Sequence, residues 1–411
     1  MSALESRDLS RGAACYGLAV VTVLNFLNYI DRYILAAVLP RVQSELALTD
    51  FQAGLLAPAF LVVYFLTSPI FGALGDRMSR TRLMAIGVGA WSLATAATGM
   101  MRTFAQLLIA RSFVGVGEAA YATISPALLS DYFPRALRGR AFAVFYVAIP
   151  VGAAAGYLLG GLIEPALGWR AAFYVVGLPG IAMALLALTA PDPVRGAAEQ
   201  DASLGVIQPV WTTVGGFFRN FAYSGTVLGY AAYTFGLGGL AFWMPKYLEQ
   251  VRGVELSQAN YIVGAVTVVA GLSGTFAGGY LGDRLSARMK QGQLWLCGIS
   301  SLAAIVPTWL TLSFASPAPY LIWFFVAEFL LFLSTGPVNV VIVSVVPVSA
   351  RAMAMAVSIF TIHFLGDAIS PPIIGLLADM AGLARAVLIV PIAIAVSGLI
   401  WIITAVAAGR D

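Results

Sequence analysis

GALGDRMSRTR (72–82) and GYLGDRLSARM (279–289) decide the reading of this chain. The two segments share the G-x-L-G-D-R core, and Asp76 and Asp283 stand about half the chain length apart. A second echo pairs FPRALRGRAFAV (133–144) with VPVSARAMAMAV (346–357) at nearly the same offset. A repeat of that period in an apolar chain predicts two parallel halves, with a binding site expected near the membrane midplane. Composition supports a membrane chain: of 411 residues, 60% are hydrophobic and only 10% charged, and mean hydropathy is +0.90. A soluble domain carries about 25% charge, so this chain has too few polar side chains to cover a globule in water.

Apolar runs separated by short polar punctuation fall at 13–39, 51–74, 82–101, 104–129, 140–163 and 170–190, then at 221–245, 257–281, 292–314, 318–346, 352–377 and 383–408. Each is close to the ~20 residues needed to span a bilayer as a helix. The expected fold is an all-α polytopic membrane protein of twelve transmembrane helices in two pseudo-symmetric six-helix halves. The halves are 1–190 and 221–411, joined by a cytoplasmic linker, 191–220. Trp211, Phe217, Phe218 and Arg219 in that linker suit a short helix lying in the interface or a loop running into the seventh span. Basic residues follow alternate loops, with Arg77, Arg80, Arg82, Arg138 and Arg140 on one side against Arg102 and Arg170 on the other. That bias predicts cytoplasmic termini. The net charge of +4 is scattered over loops and gives no nucleic-acid face. The first apolar run is read as a retained span rather than a signal peptide.

Charges inside a span cost at least about 2.5–3.5 kcal/mol each on insertion scales and are functional candidates by default. They are Asp31 and Arg32 in the first span, Arg111 and Glu118 in the fourth, Glu328 in the tenth, and His363 and Asp367 in the eleventh. Counting the helical rise from the span ends puts Asp31, Arg32 and Arg111 at about one level. Glu118 lies two turns further along the face of Arg111. Either carboxylate can then meet an Arg from the other helix. Desolvation and a neighbouring Arg act in opposite senses on such a carboxylate's proton affinity, and an Arg freed by protonation can take a phosphate in bidentate fashion. Asp31 and Glu118 are therefore candidate proton acceptors, and Arg32 and Arg111 candidate anion ligands. The alternative is a static network joining the two helices. Asn25, Asn28, Tyr29 and Tyr121 are spaced to contact substrate or to satisfy the charges. His363 and Asp367, at i and i+4, can touch, as a titrating pair or as packing. Glu328 has no partner evident in sequence.

Three local motifs resemble those of the major facilitator superfamily. GALGDRMSR is similar to its G-x-L-G-D-R-x-G-R loop, with Ser79 in place of Gly. LLIARSFVGVGEAAY (107–121) is similar to its fourth-helix motif, with Arg111, Gly115 and Gly117 in place, and GAAAGYLLGG (152–161) to its fifth-helix motif, with Tyr157 in place of Pro. Together, NFLNYIDRYILAAVLP (25–40), RSFVGVGEAAYATISP (111–126) and FYVAIPVGAAAGY (145–157) resemble the Spinster subfamily. The superfamily resemblance implies that Asp76, Arg77, Arg80 and Asp131 form a latch on the cytoplasmic side, with Asp283 and Arg284 their counterparts in the second half. The Spinster resemblance implies export of sphingosine 1-phosphate or lysophospholipids.

The expected function is proton-coupled transport of an amphipathic lysolipid or sphingoid phosphate by alternating access. A symporter for a small organic anion such as a sugar acid, and a lipid sensor or scaffold without flux, are the alternatives. The expected partners are that substrate, protons and membrane lipids, for a monomer in a bacterial inner membrane. Enzyme chemistry has little to stand on: Lys246 and Lys290 follow Pro245 and Met289 rather than Gly, so no P-loop is present. One His with Cys15 and Cys297 offers no usual zinc site, and no cofactor is expected.

Overall fold

The structure, a computed structural model, describes residues 10–75, 77–194, 210–314, 317–347 and 350–409. Among these, ten helices are long and apolar enough to cross a membrane. The longest of them, Leu137–Ala187, is 51 residues, twice the required length, and Gly168 at φ 78° breaks it. Only glycine enters that region of backbone space without strain. Counting its two arms separately, and adding the helix Arg80–Thr98, gives the twelve spans that hydropathy predicts.

The chain divides into two compact units. The first, Met1–Leu46 with Ala59–Ser203, contains α1 (Arg11–Leu46), α3 (Ala59–Gly75), α4 (Arg80–Thr98), α5 (Phe104–Tyr132) and α6 (Arg135–Ala187). Helix α6 lies along α1, and α4 is wedged between α5 and α6. The α1–α6 crossing is set by small residues. A Cβ on Gly152 would stand 2.7 Å from the Phe26 carbonyl oxygen, and one on Gly156 2.9 Å from that of Ile30. Tyr157, the departure from the fifth-helix motif, is buried with its ring edge-on to Tyr33 of α1 at 5.3 Å.

The second unit, Ala47–Pro58 with Leu204–Asp411, contains α2 (Asp50–Leu55), α7 (Val210–Arg219), α8 (Phe221–Gln250), α9 (Leu256–Ser286), α10 (Gly292–Ser313), α11 (Pro317–Phe332), α12 (Thr335–Ser344), α13 (Arg351–Ile362), α14 (Ser370–Ala381), α15 (Leu383–Ala386) and α16 (Ile389–Ala408). Helix α8 is its hub. Tyr223, Tyr233, Trp243 and Tyr247 donate to the carbonyls of Ala354, Leu331, Pro371 and Leu312, at 2.7, 3.0, 3.1 and 2.6 Å. Each ring is buried while its polar tip is satisfied.

Two predicted runs are subdivided. The run 51–74 becomes α2 and α3, parted near Pro58, and α2 clusters with the second unit rather than the first. The cause is local: Asp379 of α14 accepts from the N–H groups of Asp50 and Phe51 at 2.7 and 2.9 Å, capping the start of α2. Lys246 pairs with the Asp50 side chain. The run 352–377 is α13 and α14 joined by a π turn, His363–Asp367. In the linker region, α7 is helical over ten residues, with Phe217 packed on Tyr223 at 5.0 Å and Phe218 exposed. The side chain of Trp211 lies outside the described residues.

A buried charge cluster as the candidate functional site

The α1–α5 crossing brings the four charges of the first unit into two ion pairs. Arg32 donates from Nε and Nη2 to one oxygen of Glu118, at 3.0 and 2.7 Å. Arg111 Nη1 is 3.4 Å from Asp31 Oδ1, and Asp31 Oδ2 accepts from the Thr95 hydroxyl of α4. Arg32 thus reaches past the level of Arg111 to the deeper carboxylate. Phe60 of α3 faces both cations, its ring centre 4.9 Å from the Arg32 guanidinium and 5.6 Å from that of Arg111. Tyr29 covers Arg32 at 5.1 Å.

The pairs differ in access. Side-chain exposure is 18% for Arg32 against 0% for Glu118, 1% for Arg111 and 2% for Asp31, so Arg32 is the more accessible of the two cations. Three polar atoms here are buried without a hydrogen-bond partner among the described residues: Asn28 Nδ2, Arg111 Nε and Glu118 Oε1. Such orphans are costly, and a cluster that carries them has spare hydrogen-bonding capacity on both a cation and a carboxylate. Two other sequence candidates turn out to hold the helices instead. Tyr121, expected at the substrate, donates to the Val21 carbonyl at 2.7 Å and packs edge-on to Trp91 at 5.4 Å, because the α1–α5 crossing turns its hydroxyl onto α1 backbone. Asn25 donates to the Phe145 carbonyl at 3.0 Å.

In the second unit, His363 Nδ1 is 2.9 Å from the Asp367 carboxylate, with both side chains about a quarter to a third exposed. The π turn that carries them widens the helix. Thr234 of α8 donates to the Ile362 carbonyl at its start, at 3.0 Å. π-bulges of this kind are frequent at functional sites. Glu328 is buried and makes no hydrogen bond or ion pair among the described residues.

The latch residues separate. Arg80 is buried and reaches Asp131 at 2.5 Å, Asp192 at 3.1 Å and the Pro193 carbonyl at 2.6 Å. Its own N–H and the Ser79 hydroxyl also donate to Asp192, at 2.9 and 2.8 Å. Arg77 is exposed and makes no side-chain hydrogen bond or ion pair among the described residues. Asp76 lies outside them. In the second loop, Asp283 is exposed without a side-chain partner among the described residues, and Arg284 donates only to Tyr280 one turn back, at 2.9 Å. The loops therefore do not match: the position of Arg80 is occupied by Ala287 in the repeat, which removes the hub. Arg80→Ala removes the buried cation shared by Asp131, Asp192 and the Pro193 carbonyl and is expected to cost about 1.5–3 kcal/mol, whereas Arg77→Ala stays within about 0.5 kcal/mol. Thermal unfolding of the purified variants in detergent checks the contrast.

Sequence reasoning missed Phe60, Thr95 and Asp192. Phe60 and Thr95 carry no local signal in apolar spans. Asp192, a carboxylate between Pro191 and Pro193 on the same side as the GDR loop, was open to inspection.

The model of the Major Facilitator Superfamily matches residues 21–362. Protein spinster homolog 1 of Homo sapiens is 34% identical over 391 residues, covering 90% of this chain and 74% of that protein. Protein spinster homolog 3 of Danio rerio is 32% identical over 393 residues, covering 91% and 79%. An Arabidopsis thaliana protein named as a probable sphingolipid transporter, spinster homolog 2, is 32% identical over 393 residues, covering 88% and 80%. In three dimensions the chain is similar to the crystal structure of a bacterial homologue of the human lysosomal transporter Spinster. The TM-score is 0.86 at 23% identity, with 98% of each chain covered. With its membrane-length helices and these matches, the chain is an integral multi-pass membrane transporter, not an enzyme, and it belongs to the major facilitator superfamily and, within it, to the Spinster family.

Proposed function

We propose that this chain is a proton-coupled secondary transporter of amphipathic anionic lipids, sphingoid phosphates or lysophospholipids, working by alternating access. The observation that carries the reading is the inequality of the two ion pairs: the more accessible Arg32 held by fully buried Glu118, beside a fully buried Arg111–Asp31 pair. Protonation of Glu118 releases Arg32 to a phosphate. Stranding one member of a buried pair costs about 3–5 kcal/mol, so release and anion capture must be concerted, and that links proton to substrate. Asn28 adds a buried amide donor, and Tyr29 an aromatic face beside the cation. The sphingolipid name of the Arabidopsis relative supports the lipid part. His363, Asp367 and Glu328 supply substrate-binding groups of the second unit, and Arg80 with Asp131 and Asp192 the cytoplasmic latch. The basic-residue bias puts both termini in the cytoplasm, for a monomer in a bacterial inner membrane.

The test is internal pH, reported by a trapped dye in proteoliposomes, as sphingosine 1-phosphate, lysophospholipids and sugar acids are added in turn. A lipid-dependent proton flux is expected. A response to sugar acids alone would move the function to a small-anion symporter, and lipid binding without flux to a sensor.

A further inference from the structure

Thr95 sits on α4, fully buried, and its hydroxyl hydrogen goes to Asp31. That is unusual for this chain. A hydroxyl within a helix ordinarily returns to the carbonyl four residues earlier. In the first unit Thr67, Ser68, Thr98, Ser112, Thr123 and Ser125 all do so, at 2.6–2.9 Å. Thr95 instead leaves the Trp91 carbonyl, four residues back on its own helix, and crosses to α1.

Among the described residues Thr95 is the only hydroxyl bonded to Asp31. From α5, Arg111 holds Oδ1, while Glu118, bound to Arg32, is a like charge across the crossing. From α3, Phe60 covers the two guanidinium groups and the Tyr64 phenol stands near Arg32 and Glu118. Of the described charged groups of α6, Glu164 pairs with Arg41, Arg170 with Glu45 and Arg138 with backbone carbonyls, and Arg140 is exposed.

We propose that Thr95 is a positioning residue for proton transfer at Asp31, a hydroxyl rotor that donates to the ionised carboxylate and, once Asp31 is protonated, turns its hydrogen away and accepts from it. The hydroxyl keeps a hydrogen bond to Asp31 in both states, so neither form leaves the carboxyl oxygen that faces Thr95 stranded. A hydroxyl is the side-chain group that both donates and accepts by rotation alone; an amide or amine could not follow the proton. The inference rests on the proton-coupled reading above.

The experiment is infrared difference spectroscopy of the full chain in liposomes across a pH titration, following the C=O band of the protonated carboxylic acid. The band lost in Asp31→Asn identifies Asp31. A hydrogen bond to an ionised group supports it by enough to move its titration by about one pH unit. Because the bond favours the ionised form, Thr95→Val is expected to move the Asp31 midpoint to higher pH by about that much, and Thr95→Ser to restore it to within a few tenths. Thr95→Ala serves should the valine variant fail to fold, as judged by thermal unfolding. Coincident midpoints for wild type and the hydroxyl-less variant, or an equal shift in Thr95→Ser, would overturn the rotor while leaving proton coupling intact. Absence of any band that Asp31→Asn removes would overturn the rotor, and absence of every titrating carboxylic-acid band would overturn the proton-coupled reading as well.

Discussion

Arg111→Ala is expected to abolish transport, by at least 100-fold, and to destabilise the first unit. Its guanidinium is 1% exposed, pairs with Asp31 at 3.4 Å and lies over Phe60. Removing it leaves a buried carboxylate with Thr95 as its one partner among the described residues, and stranding one half of such a pair costs about 3–5 kcal/mol. Arg111→Lys is not a rescue, because an ammonium lacks the planar fork that addresses a carboxylate and an aromatic face together. The double variant Asp31→Asn with Arg111→Met separates the two effects. With no charge left to strand, stability should return towards wild type while transport stays absent, a coupling that a double-mutant cycle reads directly. Thermal unfolding in detergent and uptake into proteoliposomes supply the two readouts. Full transport in Arg111→Ala would remove the ion pair from the mechanism.

Glu118→Gln addresses the other pair and has a different signature. The amide is isosteric and can still accept from Arg32 through its oxygen, so folding should survive, but the site no longer carries a proton that titrates. Arg32, 18% exposed, then stays available to an anion at every pH. Substrate exchange across the membrane without net proton movement is expected to continue, while accumulation driven by a pH gradient is lost. One proton moving down one pH unit supplies about 1.4 kcal/mol, worth about tenfold in accumulation at equilibrium, and that tenfold is the expected loss. Uptake is compared with and without an imposed gradient, beside counterflow in the same vesicles. A gradient response equal to wild type would show that Glu118 does not carry the coupled proton.

Much of this site is legible in the sequence, because charge inside an apolar run is a local property. Asp31, Arg32, Arg111 and Glu118 are visible as four ionisable residues in spans that should contain none. Their spacing also fixes that Arg111 and Glu118 share a face. The partners are not legible. Counting rise along each helix puts Arg32 level with Arg111, yet Arg32 binds Glu118, because a long side chain covers more than a turn of helix and the crossing angle decides which carboxylate it meets. Tyr121 shows the opposite failure: residue type and spacing make it a ligand candidate, but the rotation of α5 spends its hydroxyl on Val21. The GDR repeat misleads in a third way. Its two copies look equivalent, and only the packing around Arg80 shows that Ala287 leaves the second copy without a hub.

By itself the sequence determined the membrane class, the twelve spans, the halving of the chain and the short list of charges within the spans. These follow from hydropathy, repetition and the cost of charge in hydrocarbon, none of which depends on which helix lies beside which. Only the tertiary structure decided that Arg32 is the more accessible cation, that Phe60 faces both guanidiniums, that Asp192 completes the Arg80 hub and that Thr95 turns from its own helix to Asp31. Each of these requires residues far apart in the chain to be brought within a few ångströms. Glycines such as Gly152 and Gly156 set that distance by letting α6 approach the backbone of α1.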